Sequence, residues 1–221
     1  FGSRVRMAKD GMLYFSVGER GRMKEAQDPQ NHLGTVIRLQ ENGKVPQDNP
    51  FLNNRKGRAE IFSYGHRNPQ GMALHPKTGK IWVHEHGPQG GDEINILKAG
   101  ANYGWPKTTF GEQYGGGKIG IGPKSPGIEE PLLHWTPSIA PSGMDFYQGD
   151  IFPNWNGDLL VGSLKFRMLV RVDLEGSLVQ GQEVVFQDRI GRVRDVRVSP
   201  EGKVYLLNDE YRGGIFRLDP L

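Results

Sequence analysis

The chain has 221 residues, of which 36% are hydrophobic and 24% charged, with a formal charge of +3 and no cysteine. That composition excludes a disulfide framework and thiolate chemistry. No apolar run approaches the roughly 18 residues that a membrane-spanning helix needs, so a soluble protein without a membrane span is expected. Basic and acidic residues alternate, and no Lys/Arg cluster exceeds RVRDVR, a poor electrostatic footprint for nucleic acid.

The 32 glycines and 15 prolines lie dispersed between short hydrophobic runs, which predicts a turn-rich β protein rather than a disordered one. Taken in order, four sections follow one plan. The first has SRVRM, Lys9-Asp10-Gly11, MLYFSVGE, GTVIRLQENG and AEIFSYG. The second has GMALHP, KTG, KIWVHEHG, EINILKAG and, much later, PLLHW. The third has SGMDFYQG, NWNG, DLLVGSLK, MLVRVDLEG and EVVFQD. The fourth has RDVRVSP, EG, KVYLLNDE and GIFRLDP, with no further run.

Each second run follows Asp-Gly, Thr-Gly, Asn-Gly or Glu-Gly, dipeptides that supply the positive φ of a tight hairpin turn. No segment keeps apolar spacing at three and four, so long helices are not expected. Serial units of four antiparallel strands predict an all-β fold, a β-propeller, over the alternative of a two-sheet sandwich. The expected blades are residues 1–66, 67–141, 142–191 and 192–221 of one domain. The last lacks an outer strand, and SRVRM is already needed as an inner one. The chain is therefore expected to be the C-terminal two-thirds of a larger propeller, incomplete at its N-terminus.

Chemistry concentrates between Gly65 and Pro106. HGPQGGDE is a loop of hard oxygen donors: Gly87 and Pro88 can turn carbonyls outward, Asp92 and Glu93 bring carboxylates, and Tyr103 ends the next loop. Calcium takes six to eight such oxygens, although an acidic loop is also an ordinary solvated feature. His84 and His86 fall on one face of a strand, but no third ligand with zinc spacing accompanies them. Arg67, Lys165, Arg192 and Arg194 recur at corresponding places in the repeat. They are either unrelated surface charges or a set of cations for a polyanionic small ligand. GGGKIGIG fails the Walker spacing and reads as a flexible loop. Neither Gly-x-Ser-x-Gly nor HExxH occurs.

GHRNPQG, HGPQGGDEIN and NYGWP, with GKVPQDNPF, SLK and RVRDVRVSPEGKVYLLND in register, resemble the soluble pyrroloquinoline quinone (PQQ) dependent aldose sugar dehydrogenases, relatives of quinoprotein glucose dehydrogenase. The resemblance spans essentially the whole chain. It implies a six-bladed β-propeller of the quinoprotein type, about four blades of which are present. It also implies PQQ and Ca2+ as cofactors, an aldose substrate oxidised at the anomeric carbon to a lactone, and an external electron acceptor. A periplasmic or secreted location goes with it.

By the same resemblance, Arg67, Asn68, Tyr114, Lys165, Arg192 and Arg194 contact PQQ, and Trp135 and Ser138 line the cofactor. Gly87 and Pro88 offer carbonyls to the catalytic calcium, and Glu93 and the Tyr103 carbonyl hold a second calcium. Glu19 supports a general-base histidine. That histidine falls immediately upstream of Phe1 in the family pattern, and none of the six histidines present takes its place. The chain alone is therefore expected to lack activity. Two other functions share this scaffold: a non-catalytic binding module, and a calcium-dependent lactonase-type hydrolase, which would need carboxylates and asparagines around an axial metal.

Overall fold

The structure, a computed structural model, describes residues 2–53 and 56–220. Its strands fall into four antiparallel sheets. The first is β1 (Val5–Met7), β2 (Met12–Val17), β3 (Thr35–Gln40) and β4 (Ile61–Tyr64), paired in that order. The second is β5 (Pro69–Leu74), β6 (Ile81–Glu85), β7 (Asp92–Ile96) and β8 (Leu133–Trp135), again in chain order. The third follows the same meander through β9 (Pro141–Phe146), β10 (Leu159–Ser163), β11 (Met168–Glu175) and β12 (Leu178–Gln187). The fourth has three described strands, β13 (Val193–Val198), β14 (Val204–Asn208) and β15 (Ile215–Leu218).

The turn chemistry explains the meanders. The glycines of the four predicted dipeptides all adopt positive φ, from 68° at Gly79 to 98° at Gly157, where a residue with a Cβ would be strained. Among the described residues helix is confined to two 3₁₀ turns, Met23–Gln27 and Pro153–Trp155. The GGGK tract is not a free coil: it closes a tight turn in which Gln113 N donates to Gly117 O at 2.9 Å and Glu112 bridges Lys118.

The chain forms two compact units, Phe1–Met72 with Gly79–Ser138, and Ala73–Thr78 with Ile139–Leu221. In the first, β1 lies beside β5: Arg4 Nε donates to Gln70 O at 2.6 Å and Arg6 Nε to Met72 O at 2.9 Å. Its buried side chains include Val36, Ile61, Met72, Trp82, Val83 and Ile94. In the second, β9 lies beside β13, where Ser142 Oγ donates to Val193 O at 2.6 Å. A Cβ on Gly143 would come within 1.8 Å of Asp195 Oδ1, so only glycine permits that approach. Tyr147, Leu160, Leu169, Val193, Val196, Val204 and Leu206 form one apolar cluster there. Its burial supplies the hydrophobic driving force for those two sheets to associate.

Candidate functional site

The site grows from the end of β6. All five residues of IWVHE are buried, as expected of a strand covered on both faces. The chain then turns through His86–Gly91 and returns as β7. Asp92 organises this corner: its Oδ1 accepts from Gly87 N at 2.9 Å, and Ser138 Oγ lies 2.9 and 2.7 Å from its two oxygens. Gly91 N donates to Trp135 O at 2.8 Å and to Thr136 Oγ1 at 3.1 Å. A Cβ on Gly87 would sit 2.1 Å from Gly90 O and 2.5 Å from the Gly91 carbonyl. The corner closes this tightly only because residue 87 has no side chain.

Arg67 enters from the link between β4 and β5. Its Nη1 donates to His86 O at 3.0 Å and to Gly87 O at 2.9 Å, and its guanidinium carbon lies 5.2 Å from the Trp105 ring centroid. Its Nε is buried without a partner, and among the described residues no carboxylate forms an ion pair with it. The backbone is tied at both ends: Arg67 N donates to Glu85 Oε2 at 2.5 Å, and Arg67 O accepts from Glu19 N at 2.9 Å. Asn68 is close by, its carbonyl accepting from His86 N at 3.1 Å and its Oδ1 from Gly2 N at 2.9 Å.

Behind this corner is a cavity of about 10 Å³, lined by Arg67, Glu85, Gly87, Glu93, Tyr103 and Trp105 among others. That is room for the centre of one water-sized occupant. Burial pushes the Glu93 carboxyl up to about 8, and the neighbouring charges of Glu85 and Asp92 push the same way. Among the described residues its one polar side-chain contact is weak, Asn95 Nδ2 at 3.4 Å. Burial also raises the Tyr103 phenol, whose hydroxyl donates to Ile96 O at 2.8 Å.

Four residues singled out by resemblance, Arg67, Gly87, Glu93 and Tyr103, therefore line one cavity, with Pro88 buried in the same loop. Glu19 is buried, and its Oε2 has no hydrogen-bond partner. Trp135 and Ser138 reach the corner through Gly91 and Asp92. Tyr114 does not join them: it lies on the exposed tight turn, 74% accessible. In the second unit, Lys165 is exposed with its Nζ 5.2 Å from the Phe166 ring centroid. Arg192 and Arg194 converge on one counter-ion, Asp209 Oδ2, at 3.1 and 2.6 Å. The Arg194 hydrogen bond is the main reason the Asp209 carboxyl stays below its usual range, with Arg192 adding to it.

Residue reasoning missed the buried relay beneath Arg67. Ser63 Oγ lies 2.9 Å from His66 Nε2, and His66 Nδ1 lies 2.8 Å from Glu85 Oε1. The His66 ring also stacks on Tyr103, with centroids 4.7 Å apart. The available signal was strand alternation. His84 and His86 fall on one face of the strand, while Glu85, on the other face with Ile81 and Val83, is a buried carboxyl that needs a partner.

An all-β chain of serial antiparallel meanders, with a carbonyl-rich loop set against a guanidinium, defines the class: a β-propeller of the quinoprotein dehydrogenase type, four blades of which lie in this chain. The family is equally plain. The model of the glucose / sorbosone dehydrogenases matches residues 1–217, and the chain belongs to that family. It is 43% identical over 222 residues to the aldose sugar dehydrogenase YliI of Escherichia coli, covering 100% of this chain and 60% of that protein. A solved glucose dehydrogenase superposes with a TM-score of 0.97 at 43% identity, over 100% of this chain and 64% of that one. The PQQ-bound form of aldose sugar dehydrogenase from Streptomyces coelicolor gives a TM-score of 0.78 at 28% identity, over 98% of this chain and 60% of that one. The chain thus spans less than two-thirds of the length of these relatives. Among the described residues no helix is long and apolar enough to cross a membrane.

Proposed function

We propose that this chain supplies the cofactor cage of a PQQ- and calcium-dependent aldose dehydrogenase. The enzyme oxidises the anomeric carbon of a sugar to the lactone and passes the electrons to an external acceptor. The observation that carries this reading is the condition of Arg67. Its guanidinium rests on two neutral carbonyls and an indole, with a buried Nε that lacks an acceptor. Buried donors normally find partners, and a planar fork suits the carboxylate and quinone oxygens of a flat acidic cofactor. PQQ fits that requirement.

Calcium fits the oxygen-only donors around it. Gly87 and Pro88 would offer carbonyls to the ion beside the cofactor, and Glu93 with the Tyr103 carbonyl would hold a second. Support comes from Glu93, a carboxyl crowded by Glu85 and Asp92, with no ion pair among the described residues to relieve it. A divalent ion in the adjoining cavity would provide that relief.

The bound quinone would supply the hydride acceptor and the calcium ion a Lewis acid. The remaining roles belong to side chains. Arg67 and Asn68 orient the cofactor, Trp135 and Ser138 line it, and Lys165, Arg192 and Arg194 are the further cations that the family resemblance assigns to it. Glu19, a buried carboxylate with one unpartnered oxygen, orients and supports the general base that takes the sugar's anomeric proton. Family resemblance supports a periplasmic or secreted location, which cell fractionation would check. With the histidine-bearing segment of the family pattern restored, the deciding experiment is reconstitution with PQQ and Ca2+ followed by dye reduction with glucose and other aldoses, alongside a fluorescence titration of PQQ. Saturable PQQ binding with sugar-dependent dye reduction supports the assignment. Absence of both rejects it.

A further inference from the structure

We propose that Glu85 is a positioning residue whose reach, rather than its charge, sets Arg67 against the Gly87 carbonyl, and that His66 holds Glu85 in place for this. The inference rests on the reading of Arg67 as a cofactor contact.

Glu85 is 4% exposed, the last of five buried residues in β6. A carboxylate so placed is costly unless both oxygens are bonded, and the two oxygens have different tasks. Oε1 faces His66 Nδ1 at 2.8 Å and Asn95 Nδ2 at 3.5 Å; Oε2 accepts Arg67 N at 2.5 Å. His66 is itself wholly buried, held by Ser63 on its far nitrogen and by the Tyr103 ring on its face. Glu85 also stands at the end of the strand that leads directly into His86 and Gly87, whose carbonyls receive the Arg67 guanidinium. One side chain therefore fixes the anchor of the guanidinium relative to its acceptors. Glu19 N closes the other side of Arg67, so little backbone freedom remains for the side chain to leave in another direction.

Isosteric and shortened variants separate reach from charge. In Glu85→Gln the amide oxygen can still accept Arg67 N, while the amide nitrogen donates to His66 Nδ1 and His66 Nε2 carries its proton toward Ser63. Every bond but the long Asn95 contact survives without the charge. In Glu85→Asp the charge survives, but a side chain one methylene shorter cannot serve both partners. Ser63→Ala removes an outer support and leaves the Arg67 contact.

The experiment has two arms on the longest natural polypeptide carrying this chain. In ligand-free protein, NMR of the Arg67 guanidinium protons reads their protection on the two carbonyls. Protection is expected in wild type, Glu85→Gln and Ser63→Ala and should be lost in Glu85→Asp. In the second arm, tryptophan fluorescence reads the PQQ dissociation constant. It should stay within about threefold for Glu85→Gln and Ser63→Ala and rise about 10- to 100-fold for Glu85→Asp, the loss expected of one charge-assisted bond. The opposite order, with Gln deficient and Asp normal, overturns reach in favour of charge. Equal losses in Ser63→Ala and Glu85→Gln, tracking their melting temperatures, would reduce Glu85 to a structural residue. If wild type binds no PQQ, the functional reading fails, and the ligand-free arm still decides the role of Glu85. Should Glu85→Asp fail to fold, unprotected guanidinium protons in Glu85→Gln overturn the proposal and protected ones uphold it.

Discussion

Arg67 and Gly87 are joined by a hydrogen bond of 2.9 Å from a guanidinium nitrogen to a carbonyl that lies at the end of a buried strand. The same nitrogen reaches His86 O, and the guanidinium lies over Trp105. A lysine in this place keeps the charge but loses the fork and the stacking surface. Arg67→Lys is accordingly expected to weaken PQQ binding about 10- to 100-fold, the equivalent of one charge-assisted bond, as read by fluorescence titration. An unchanged dissociation constant would remove Arg67 from the cofactor site.

Glu93 gives the site a pH dependence whose sign is determined. Its carboxyl is raised to about 8 by burial, with Glu85 and Asp92 adding to the effect. A folded-state value above the unfolded one means that the native protein holds a proton the unfolded chain releases earlier. Stability contributed by the neutral form is thus full below the ordinary glutamate range and is lost as pH rises toward 8. In calcium-free buffer the melting temperature should fall between about pH 5 and pH 8, and added Ca2+ should restore it most at the alkaline end. Glu93→Gln should flatten both responses. A calcium effect equally large in that variant would move the ion elsewhere.

The strands were legible wherever Gly-containing dipeptides preceded branched, apolar runs, because turn geometry and burial then agree. KIWVHEHG and DLLVGSLK are such cases, each giving a five-residue strand buried throughout. The clearest shortfall is β12. EVVFQD marked only its end, whereas pairing with β11 runs back to Leu178. The added stretch, LVQGQ, is mostly exposed and polar, so neither hydrophobicity nor alternation announces it; backbone pairing along the β11 edge makes it a strand. At the site, motif order brought Arg67, Gly87, Glu93 and Tyr103 into view. The Ser63–His66–Glu85 relay was not legible, since its members meet only once β4 and β6 are placed. Asp209 was missed for a similar reason: it stands 15 residues beyond Arg194 and reaches it as a neighbour of β14.

The corner after β6 should be intolerant of any side chain at residue 87. A Cβ there would meet backbone atoms of Gly90 and Gly91 at 2.1 to 2.5 Å, and backbone cannot swing aside as a flexible side chain can. Gly87→Ala is expected to cost at least about 2 kcal/mol through overpacking, measured by urea denaturation. It should also break the Gly87 N to Asp92 bond and with it the Ser138 contact. Wild-type stability in this variant would show the loop to be loose, and a carbonyl-defined ion site would then be untenable.

Asp209 offers the sharpest check on the second unit. It accepts from both Arg192 and Arg194 through one oxygen, and all three side chains are 40–45% exposed. Exposed pairs of this kind contribute about 0–1 kcal/mol to stability, so Asp209→Asn should leave the urea midpoint nearly unchanged. Its effect on ligand binding should be larger. With the competing carboxylate gone, both guanidinium groups become available to an anionic cofactor, and PQQ should bind a few-fold more tightly, most clearly at low salt where charge is least screened. Affinity that is unaltered at every ionic strength would mean that Arg192 and Arg194 are surface charges serving Asp209 alone, and that the cofactor is gripped without them.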